Sequence, residues 1–470
     1  MDILEVKNLS YKLPEGSELL IDNINFNIKK GEMVLITGRS GTGKSMLLKC
    51  LNGIIPNYYN GTLDGNIFFK GKLISSMNKE DIVKNVGFMW QDVDYQMINM
   101  TVEDEIAFGL ENLGCSREYI KKKLKELETL ININLEAKID TLSGGQKQKV
   151  AIASIIAMNQ DLILLDEPLA NLDLDSAIEI LQFIKNITKK GKTVILVEHR
   201  LDLGKNYIDR LLYLKDKTIN LDITNKKEIA NFEKEKYKKL DLRETNIIEN
   251  KNNEETVINL KELKFRYKNN KKNTIENINL EIKKGERIVV LGHNGSGKST
   301  LLKVICGLNK GRKLKYSNFK VDGSVGYVFQ NPTHQLFMSS VYDEVNLNSI
   351  SKEYTDYILK LFNLYELKKY HPLSLSQGKK RLLAIACILS SNPDIIILDE
   401  PTIGQDYENL KLIIDIINKI NKIKCTTIIT VTHDIACAKS LCDRVIILND
   451  GAIVKQGNVN LVQDYFNVIY

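Results

Sequence analysis

The chain has 470 residues, enough for two or three domains that each bury a core of their own. Its 43% hydrophobic and 27% charged residues are typical of a globular protein and exclude a disordered or fibrous one. The net charge of +7 is mild for this length, so it argues for neither a nucleic acid nor a membrane partner. The seven cysteines lack the paired spacing of disulfide or zinc modules, which indicates reduced thiols.

Two features of the sequence bear on its compartment. The first residues, MDILEVKNL, are acidic and amphipathic, unlike a secretory signal. No run of about 18 apolar residues occurs that could span a bilayer. The sequence therefore predicts a cytoplasmic protein.

The elements of the first half alternate apolar runs with amphipathic helices, the pattern of an α/β fold. Leu162–Asp166 (LILLD) and Thr193–Val197 (TVILV) are short apolar runs typical of buried parallel strands. Between the amino terminus and these runs, Arg117–Leu130 has helical period with a solvated Lys/Glu face. Residues 226–240 are predicted to form a solvated terminal helix.

An internal repeat of whole-domain length organises the chain. NINFNIKKGE begins at Asn23 and NINLEIKKGE begins at Asn277, and the lysines that follow, Lys44 and Lys298, lie 254 residues apart. Later segments recur in the same order. We predict two domains joined by a polar linker, with bounds 1–240, 241–255 and 256–470.

Two glycine-rich segments, GRSGTGKS and GHNGSGKS, fit the phosphate-binding pattern GxxxxGK[ST]. Each follows an apolar run and precedes a helical LLK, the strand–loop–helix context that the pattern requires. Glycines let the backbone wrap a phosphate, so that amide groups and a helix N-terminus point at its oxygens. The predicted loops are Gly38, Arg39, Ser40, Gly41, Thr42, Gly43, Lys44 and Ser45, and Gly292, His293, Asn294, Gly295, Ser296, Gly297, Lys298 and Ser299.

Paired carboxylates end an apolar strand in each copy. LILLDE ends on Asp166 and Glu167, and IIILDE ends on Asp399 and Glu400. At a fixed place after a phosphate loop, the first acid is expected to bind Mg²⁺ through water, and the second to orient and polarise the attacking water. The lysine of each loop would reach the β/γ-phosphates, and the loop's final serine would hold the same Mg²⁺.

The segment LSGGQ (Leu142–Gln146) is the most diagnostic motif. Ser143 lies 23 residues before Asp166, and LSQGK in the second copy repeats that spacing from Ser376 to Asp399. With every motif present twice and in order, the chain resembles the ATP-binding-cassette (ABC) ATPases over nearly its whole length. The resemblance implies an α/β fold of two P-loop NTPase domains, each with a RecA-like mixed sheet core and a helical signature subdomain.

The resemblance also implies roles for residues that match the family's motif positions. His199 and His433 match the switch histidine that contacts the γ-phosphate, so they join Glu167 and Glu400 as predicted catalytic residues. Tyr11 and Tyr267 match the aromatic that stacks on adenine, with a core aromatic as the alternative. The other matches are Gln91 and Gln330 of the Q-loop, Asp173 and Asp406 of the D-loop, and the signature residues Ser143, Gly144, Gly145, Ser376, Gln377 and Gly378. The implied Mg²⁺ ligands are Ser45, Gln91, Asp166, Ser299, Gln330 and Asp399.

In this family each ATP is held between the phosphate loop of one domain and the signature of the other. The resemblance therefore implies that the two domains pair, with Lys44 facing Ser376 and Lys298 facing Ser143. Because the signature begins a helix, its N–H groups would meet the γ-phosphate.

The two copies differ in two respects. Lys379 replaces Gln146, and Gln377 replaces Gly144, whose backbone freedom a side chain is expected to restrict. The phosphate loop and the Q-loop glutamine are also 15 residues closer in copy two, which predicts a smaller flanking sheet.

The amino-acid sequence around the Q-loops distinguishes types of ABC ATPase. Trp90–Asn112 and Phe329–Val345 are similar to the ATPases of energy-coupling-factor (ECF) importers of vitamins and transition-metal ions. This resemblance implies a transmembrane coupling protein and a substrate-binding membrane component as partners, and a peripheral location on the inner face of the membrane.

Two alternatives remain open. ATPases of sugar importers have a similar length, but their second phosphate loop is usually eroded, whereas GHNGSGKS is intact. Soluble F-type ABC translation factors act on the ribosome through a long basic linker, whereas the segment between the copies is short and mixed in charge. No nucleic-acid partner is therefore expected.

Overall fold

The computed structural model describes residues 2–13, 19–39, 41–91, 93–169, 172, 174–198, 204–238, 255–268, 272–309 and 314–467. The chain divides into two compact units, Met1–Lys239 and Leu240–Tyr470. Of the predicted linker, only the last residue, Glu255, belongs to the described residues. The seven cysteines are free thiols. No helix within the described ranges is both long and apolar enough to cross a membrane.

The first unit contains two sheets. Its strands are β1 (Asp2–Lys12), β2 (Leu19–Lys29), β3 (Met33–Gly38), β4 (Thr62–Phe69), β5 (Lys72–Leu73), β6 (Val86–Met89), β7 (Leu162–Asp166), β8 (Thr193–Val197), β9 (Arg210–Lys215) and β10 (Thr218–Ile223). The order β2-β1-β4-β5 is antiparallel. The order β10-β9-β3-β8-β7-β6 is parallel except for the β9–β10 pair. As predicted, β7 and β8 are buried parallel strands.

The helices of the first unit follow from capping residues and apolar spacing. They are α1 (Lys44–Leu51), α2 (Ile54–Asn57), α3 (Lys79–Asn85), α4 (Val102–Asn112), α5 (Arg117–Ile131), α6 (Gly144–Ala157), α7 (Leu174–Lys189) and α8 (Lys226–Lys238). Ser116 caps α5, which buries Ile120, Leu124 and Leu127 on one face. This confirms the amphipathic helix predicted there. Helices α4, α5 and α6 pack together as a helical subdomain.

The main core of the first unit surrounds α1. Leu47 and Leu48 of α1 pack with Val34 and Ile36 of β3 and with buried residues of β1 and β2. The phosphate-loop helix is thus fixed by apolar contacts with both sheets, and the burial of each such leucine contributes about 1.5–3 kcal/mol.

The second unit repeats this architecture. Its strands are β11 (Thr256–Phe265), β12 (Ile275–Lys283), β13 (Arg287–Leu291), β14 (Asn318–Val321), β15 (Val325–Val328), β16 (Ile395–Asp399), β17 (Thr427–Val431), β18 (Arg444–Asn449) and β19 (Ala452–Gly457). Its helices are α9 (Lys298–Ile305), α10 (Val341–Asn346), α11 (Lys352–Leu361), α12 (Gln377–Ser390), α13 (Tyr407–Lys424), α14 (Ile435–Ser440) and α15 (Asn460–Asn467).

The sheets of the second unit also match those of the first. The order β15-β16-β17-β13-β18-β19 corresponds strand by strand to β6-β7-β8-β3-β9-β10. The antiparallel sheet has three strands among the described residues, β12-β11-β14, where the first unit has four. This confirms the smaller flanking sheet that the shorter spacing predicts.

Candidate functional site

In each unit the predicted site residues follow the carboxyl ends of neighbouring parallel strands. In the first unit β3 ends at Gly38, β6 at Met89, β7 at Asp166 and β8 at Val197, and these strands are adjacent in the order β3-β8-β7-β6. Carboxyl ends of parallel strands meet at one edge of a sheet, so the loops that follow them converge there. The same holds for β13, β17, β16 and β15 in the second unit.

Both phosphate loops fold back on the lysine that ends them. Lys44 Nζ donates to the carbonyls of Gly38 (3.0 Å) and Arg39 (2.7 Å), and Lys298 Nζ donates to those of Gly292 (2.7 Å) and His293 (2.9 Å). These bonds curl each loop around its lysine at the start of α1 or α9. The loop is therefore preshaped around the position where a phosphate would be held.

Glycine is required within these loops for identifiable reasons. Gly43 has φ +92°, and a Cβ at this position would lie 2.6 Å from the Leu20 carbonyl oxygen. Gly297 has φ +99°, and its Cβ would lie 2.9 Å from the Thr274 oxygen. A side chain at either position would clash with backbone and adopt a strained conformation.

In the first unit a hydroxyl and a carboxylate meet beside the phosphate loop. Ser45 Oγ donates to Asp166 Oδ1 at 3.1 Å. Burial and the adjacent Glu167 raise the pKa of Asp166 to about 7. Mg²⁺ prefers oxygen ligands, and a cation would offset the cost of burying this charge. The residues present therefore fit a magnesium ion.

The second unit has the same pair and one further donor. Ser299 Oγ donates to Asp399 Oδ1 at 3.1 Å, and the Tyr327 hydroxyl donates to Asp399 Oδ2 at 2.7 Å. Burial and the Asp399 carboxylate raise the pKa of Tyr327, which keeps its hydroxyl protonated as a donor. The Ser299 and Asp399 oxygens fit Mg²⁺ in the same way as Ser45 and Asp166, and Tyr327 holds the carboxylate.

The predicted catalytic glutamates lie directly after β7 and β16. Glu167 and Glu400 have φ values of +51° and +52°, a left-handed conformation that glutamate rarely adopts. Gln91 Nε2 donates to Glu167 Oε2 at 2.9 Å. His433 Nε2 lies 3.3 Å from Glu400 Oε1, and its backbone amide donates to Oε2 at 3.2 Å. The structure thus brings Gln91 to one glutamate and His433 to the other.

The structure also places two further predicted residues, Gln330 and Asp406. Gln330 follows β15 at the same edge of the sheet and is exposed. Asp406 caps α13 by accepting the Asn409 amide at 2.9 Å. Ser40, Asp173 and His199 lie outside the described residues.

The assignment of Tyr11 as the adenine-stacking aromatic is wrong. Tyr11 is completely buried in β1, and its hydroxyl donates to the Asn60 carbonyl at 2.7 Å, so neither ring face is free for a base. Tyr11 pairs with Ile21 as Phe265 pairs with Ile275, so Phe265 is its counterpart.

The counterpart of Tyr267 is therefore Leu13. Tyr267 is 37% exposed, and its hydroxyl lies 3.3 Å from Thr300 Oγ1 at the start of α9. Leu13 is 40% exposed. Of these two equivalent positions, only Tyr267 supplies an aromatic ring.

The two signatures begin α6 and α12 with different caps. In α6, Ser143 Oγ accepts the Gln146 amide at 3.3 Å, and Gln146 Oε1 accepts the Ser143 amide at 2.9 Å. This is a reciprocal capping box. In α12, Ser376 Oγ accepts the Lys379 amide at 3.5 Å, but the Lys379 side chain has no acceptor to return the bond.

The expected restriction of the backbone by Gln377 is wrong. Gly144 does not have a positive φ, and a Cβ placed on it would meet no atom of its surroundings within 4 Å. Gly144 and Gln377 are the first residues of their helices. A side chain is therefore tolerated there, and the difference between the signature backbones lies in the capping partner.

Sequence reasoning did not single out the second glutamine of each Q-loop. Gln96 Oε1 accepts the Trp90 amide at 3.1 Å, and Gln335 Oε1 accepts the Phe329 amide at 3.0 Å. These bonds fix the residue that precedes each Q-loop glutamine. The available signal was that a second glutamine recurs five positions after each Q-loop glutamine, following the equivalent strands β6 and β15.

Two buried glutamates were also missed. Glu105 Oε2 accepts the amides of Ile98 (3.2 Å) and Asn99 (2.9 Å). Glu344 Oε2 accepts the amides of Phe337 (2.9 Å) and Met338 (2.7 Å). Each carboxylate holds the segment after a Q-loop in one shape. Both glutamates belong to an Asp-Glu pair that occurs in each copy, Asp104–Glu105 and Asp343–Glu344.

Comparison with known proteins identifies the family. The ABC transporter family model matches residues 21–170 and 275–403, which include both phosphate loops, both signatures and both carboxylate pairs. The chain belongs to the ABC transporter family. This ABC protein therefore binds and hydrolyses ATP, and its two P-loop domains of mixed α/β sheets confirm the predicted fold class.

Relatives of this ABC ATPase match it over nearly its whole length. A "Putative ABC transporter ATP-binding protein" of Bacillus thuringiensis subsp. konkukian is 34% identical over 98% of this chain and 91% of its own length. A "Putative HMP/thiamine import ATP-binding protein" of Bacillus subtilis is 34% identical over 97% of this chain and 92% of its own length. Both names describe ATP-binding components of transporters.

Solved structures of two other proteins share the fold of this ABC ATPase. The RNase-L Inhibitor has a TM-score of 0.67 and covers 98% of this chain and 92% of its own. The archaeal ribosome recycling factor aABCE1, in complex with the stalk protein aP1, has a TM-score of 0.65 and the same coverage. Each is 22% identical in sequence, so the likeness concerns the fold alone.

Proposed function

We propose that this chain is the ATPase of an ECF-type importer of a vitamin or a metal ion. The observation that carries the proposal is the 34% identity, over 97% of the chain, to a protein named for HMP/thiamine import. The ECF-like sequences around both Q-loops, Trp90–Asn112 and Phe329–Val345, support the same conclusion. The second phosphate loop, with its Ser299–Asp399 pair intact, disfavours a sugar importer with one eroded site.

The contacts within each unit support a separate role in hydrolysis for each kind of site residue. Lys44 and Lys298 bind the β/γ-phosphates, and the serine–aspartate pairs hold Mg²⁺. When bound, the ion neutralises charge on the β- and γ-phosphate oxygens. Glu167 and Glu400 orient and polarise the attacking water as general bases.

Each ATP site is proposed to be completed by the other domain of the same chain. In this arrangement the Lys44 site is closed by the signature at Ser376, and the Lys298 site by the signature at Ser143. The N-termini of α12 and α6 then present amide groups to the γ-phosphate. Closure on ATP and reopening after hydrolysis would drive the membrane partner.

The segments after the Q-loops are the proposed docking surface for that partner. Ile98 and Met100 are 64% and 82% exposed, and Phe337 is 70% exposed. Because Glu105 and Glu344 fix the backbone beneath them, these apolar side chains are presented in a defined arrangement. A transmembrane coupling protein would bind here, with a substrate-binding membrane component beside it and the ATPase on the cytoplasmic face.

Co-purification tests the proposal. The tagged chain is isolated from detergent-solubilised membranes of its native host and should carry a polytopic membrane protein with it. Met100→Glu combined with Phe337→Glu should abolish that co-purification, because charged side chains would have to be buried in an apolar interface. Ile423→Glu alters an equally exposed residue at the end of α13 and should retain the partner.

Two results would contradict this function, and a third would contradict the docking surface alone. One is co-sedimentation with ribosomes and not with membranes, which would favour a translation factor. Another is a stable complex with the subunits of a sugar importer. The third is retention of the membrane protein by the double glutamate variant, which would show that the partner docks elsewhere.

A further inference from the structure

The two Mg²⁺ sites of this chain differ by one hydroxyl group. Phe88 of β6 pairs with Leu164 of β7, and Tyr327 of β15 pairs with Ile397 of β16, two residues before Asp399. The two aromatic residues therefore occupy the same register position in equivalent strands. Each also packs edge-on against the aromatic residue two positions later.

This difference changes how the carboxylate beside the phosphate loop is held. Asp399 receives hydrogen bonds on both oxygens, from Ser299 at 3.1 Å and from Tyr327 at 2.7 Å. Asp166 receives the equivalent serine bond at 3.1 Å, but Phe88 has no hydroxyl to supply the second. A carboxylate held at one oxygen can turn about its Cβ–Cγ bond, whereas one held at both cannot turn without losing a bond.

We infer that Tyr327 is a positioning residue that fixes the Asp399 carboxylate for Mg²⁺, so that the two ATP sites of one chain differ in metal affinity. Tyr327 acts through Asp399, to which its hydroxyl donates at 2.7 Å. A carboxylate has about four acceptor positions, and the serine and tyrosine hydroxyls use two of them, which leaves the others for metal-bound water. Loss of a hydrogen bond to a group that holds a metal typically lowers metal affinity or activity by 10- to 100-fold.

The inference rests on the proposed assignment of Asp399 and Asp166 as metal carboxylates. Reciprocal substitutions test it, since the side chain that each variant introduces is already present at the equivalent position of the other unit. Tyr327→Phe removes the second donor, and Phe88→Tyr adds one at Asp166. Tyr354→Phe is the matched control, because it removes a tyrosine hydroxyl that contacts Lys424 instead of an aspartate.

The readout is the binding of Mn²⁺ to the full chain at saturating ADP, monitored through the electron paramagnetic resonance signal of the free ion. The wild type and Tyr354→Phe should show two classes of site. Tyr327→Phe should raise the dissociation constant of the tighter class about tenfold. Phe88→Tyr should lower that of the weaker class by a similar factor. The Mg²⁺ concentration for half-maximal ATPase activity should shift in the same directions.

Two kinds of failure are distinguishable with Asp399→Asn. If this variant loses the tighter class but Tyr327→Phe binds Mn²⁺ like the wild type, the positioning role is refuted and the metal assignment stands. If Asp399→Asn keeps both classes, the metal assignment is refuted and the inference with it. A single class in the wild type would also overturn the inference.

Discussion

The cap of the signature helix is the difference between the two units that can be altered most cleanly. In α6 the capping box satisfies the backbone amides of Ser143 and Gln146, whereas in α12 Lys379 cannot accept the amide of Ser376. Lys379→Gln should restore the second bond. An N-cap contributes typically about 1 kcal/mol, and removing a positive charge from the first turn adds about 0.3–1 kcal/mol.

Amide hydrogen exchange of the full chain measures this effect. The two gains together, about 1.3–2 kcal/mol, should slow exchange in the peptide covering residues 376–380 roughly 10- to 30-fold, and Gln146→Lys should accelerate exchange at residues 143–147 by a similar factor. Lys380→Gln removes the same charge one position later and should give only the electrostatic part. Equal protection in Lys379→Gln and Lys380→Gln would refute the capping argument.

Three further predictions concern the nucleotide sites. Steady-state ATP turnover should fall further in Glu400→Gln than in Glu167→Gln, because the proposed partner of the Glu400 site is the fully capped signature; equal losses would contradict this. Asp166→Asn should raise the melting temperature in EDTA more at pH 8 than at pH 5. Because the pKa of Asp166 is raised from 3.8 to about 7, the wild type loses stability as pH rises through that interval. A difference in melting temperature that does not depend on pH would show that the raised pKa is not its cause. Tyr267→Ala should weaken ATP binding roughly 5- to 150-fold in calorimetry, the cost of a lost base stack, whereas Leu13→Ala should have a smaller effect; equal effects would show that Tyr267 does not stack.

Local motifs were predictable because their chemistry requires a particular backbone. The phosphate loops need glycines at positive φ before a helix, and Gly43 and Gly297 lie there. The apolar runs before Glu167 and Glu400 could only be buried strands, and both are. The shorter spacing in the second copy also predicted its smaller sheet.

Other features depended on register and on contacts between distant residues. The 254-residue repeat already aligned Tyr11 with Phe265 and Leu13 with Tyr267. The assignment of Tyr11 and Tyr267 to one motif position did not follow this alignment, so the prediction for Tyr11 was wrong. The bond between Tyr327 and Asp399 joins residues 72 positions apart on neighbouring strands, and nothing local to either residue indicates it.

The central claim is that the two phosphate loops of this chain support ATP hydrolysis. The most direct measurement is phosphate release from ATP by the purified chain carrying both Lys44→Ala and Lys298→Ala. Each substitution removes a buried ammonium group at a loop that closes around it. Loss of such preorganised donors should lower turnover by roughly 100-fold or more. Turnover equal to that of the wild type would show that the two lysines are dispensable and would contradict the account.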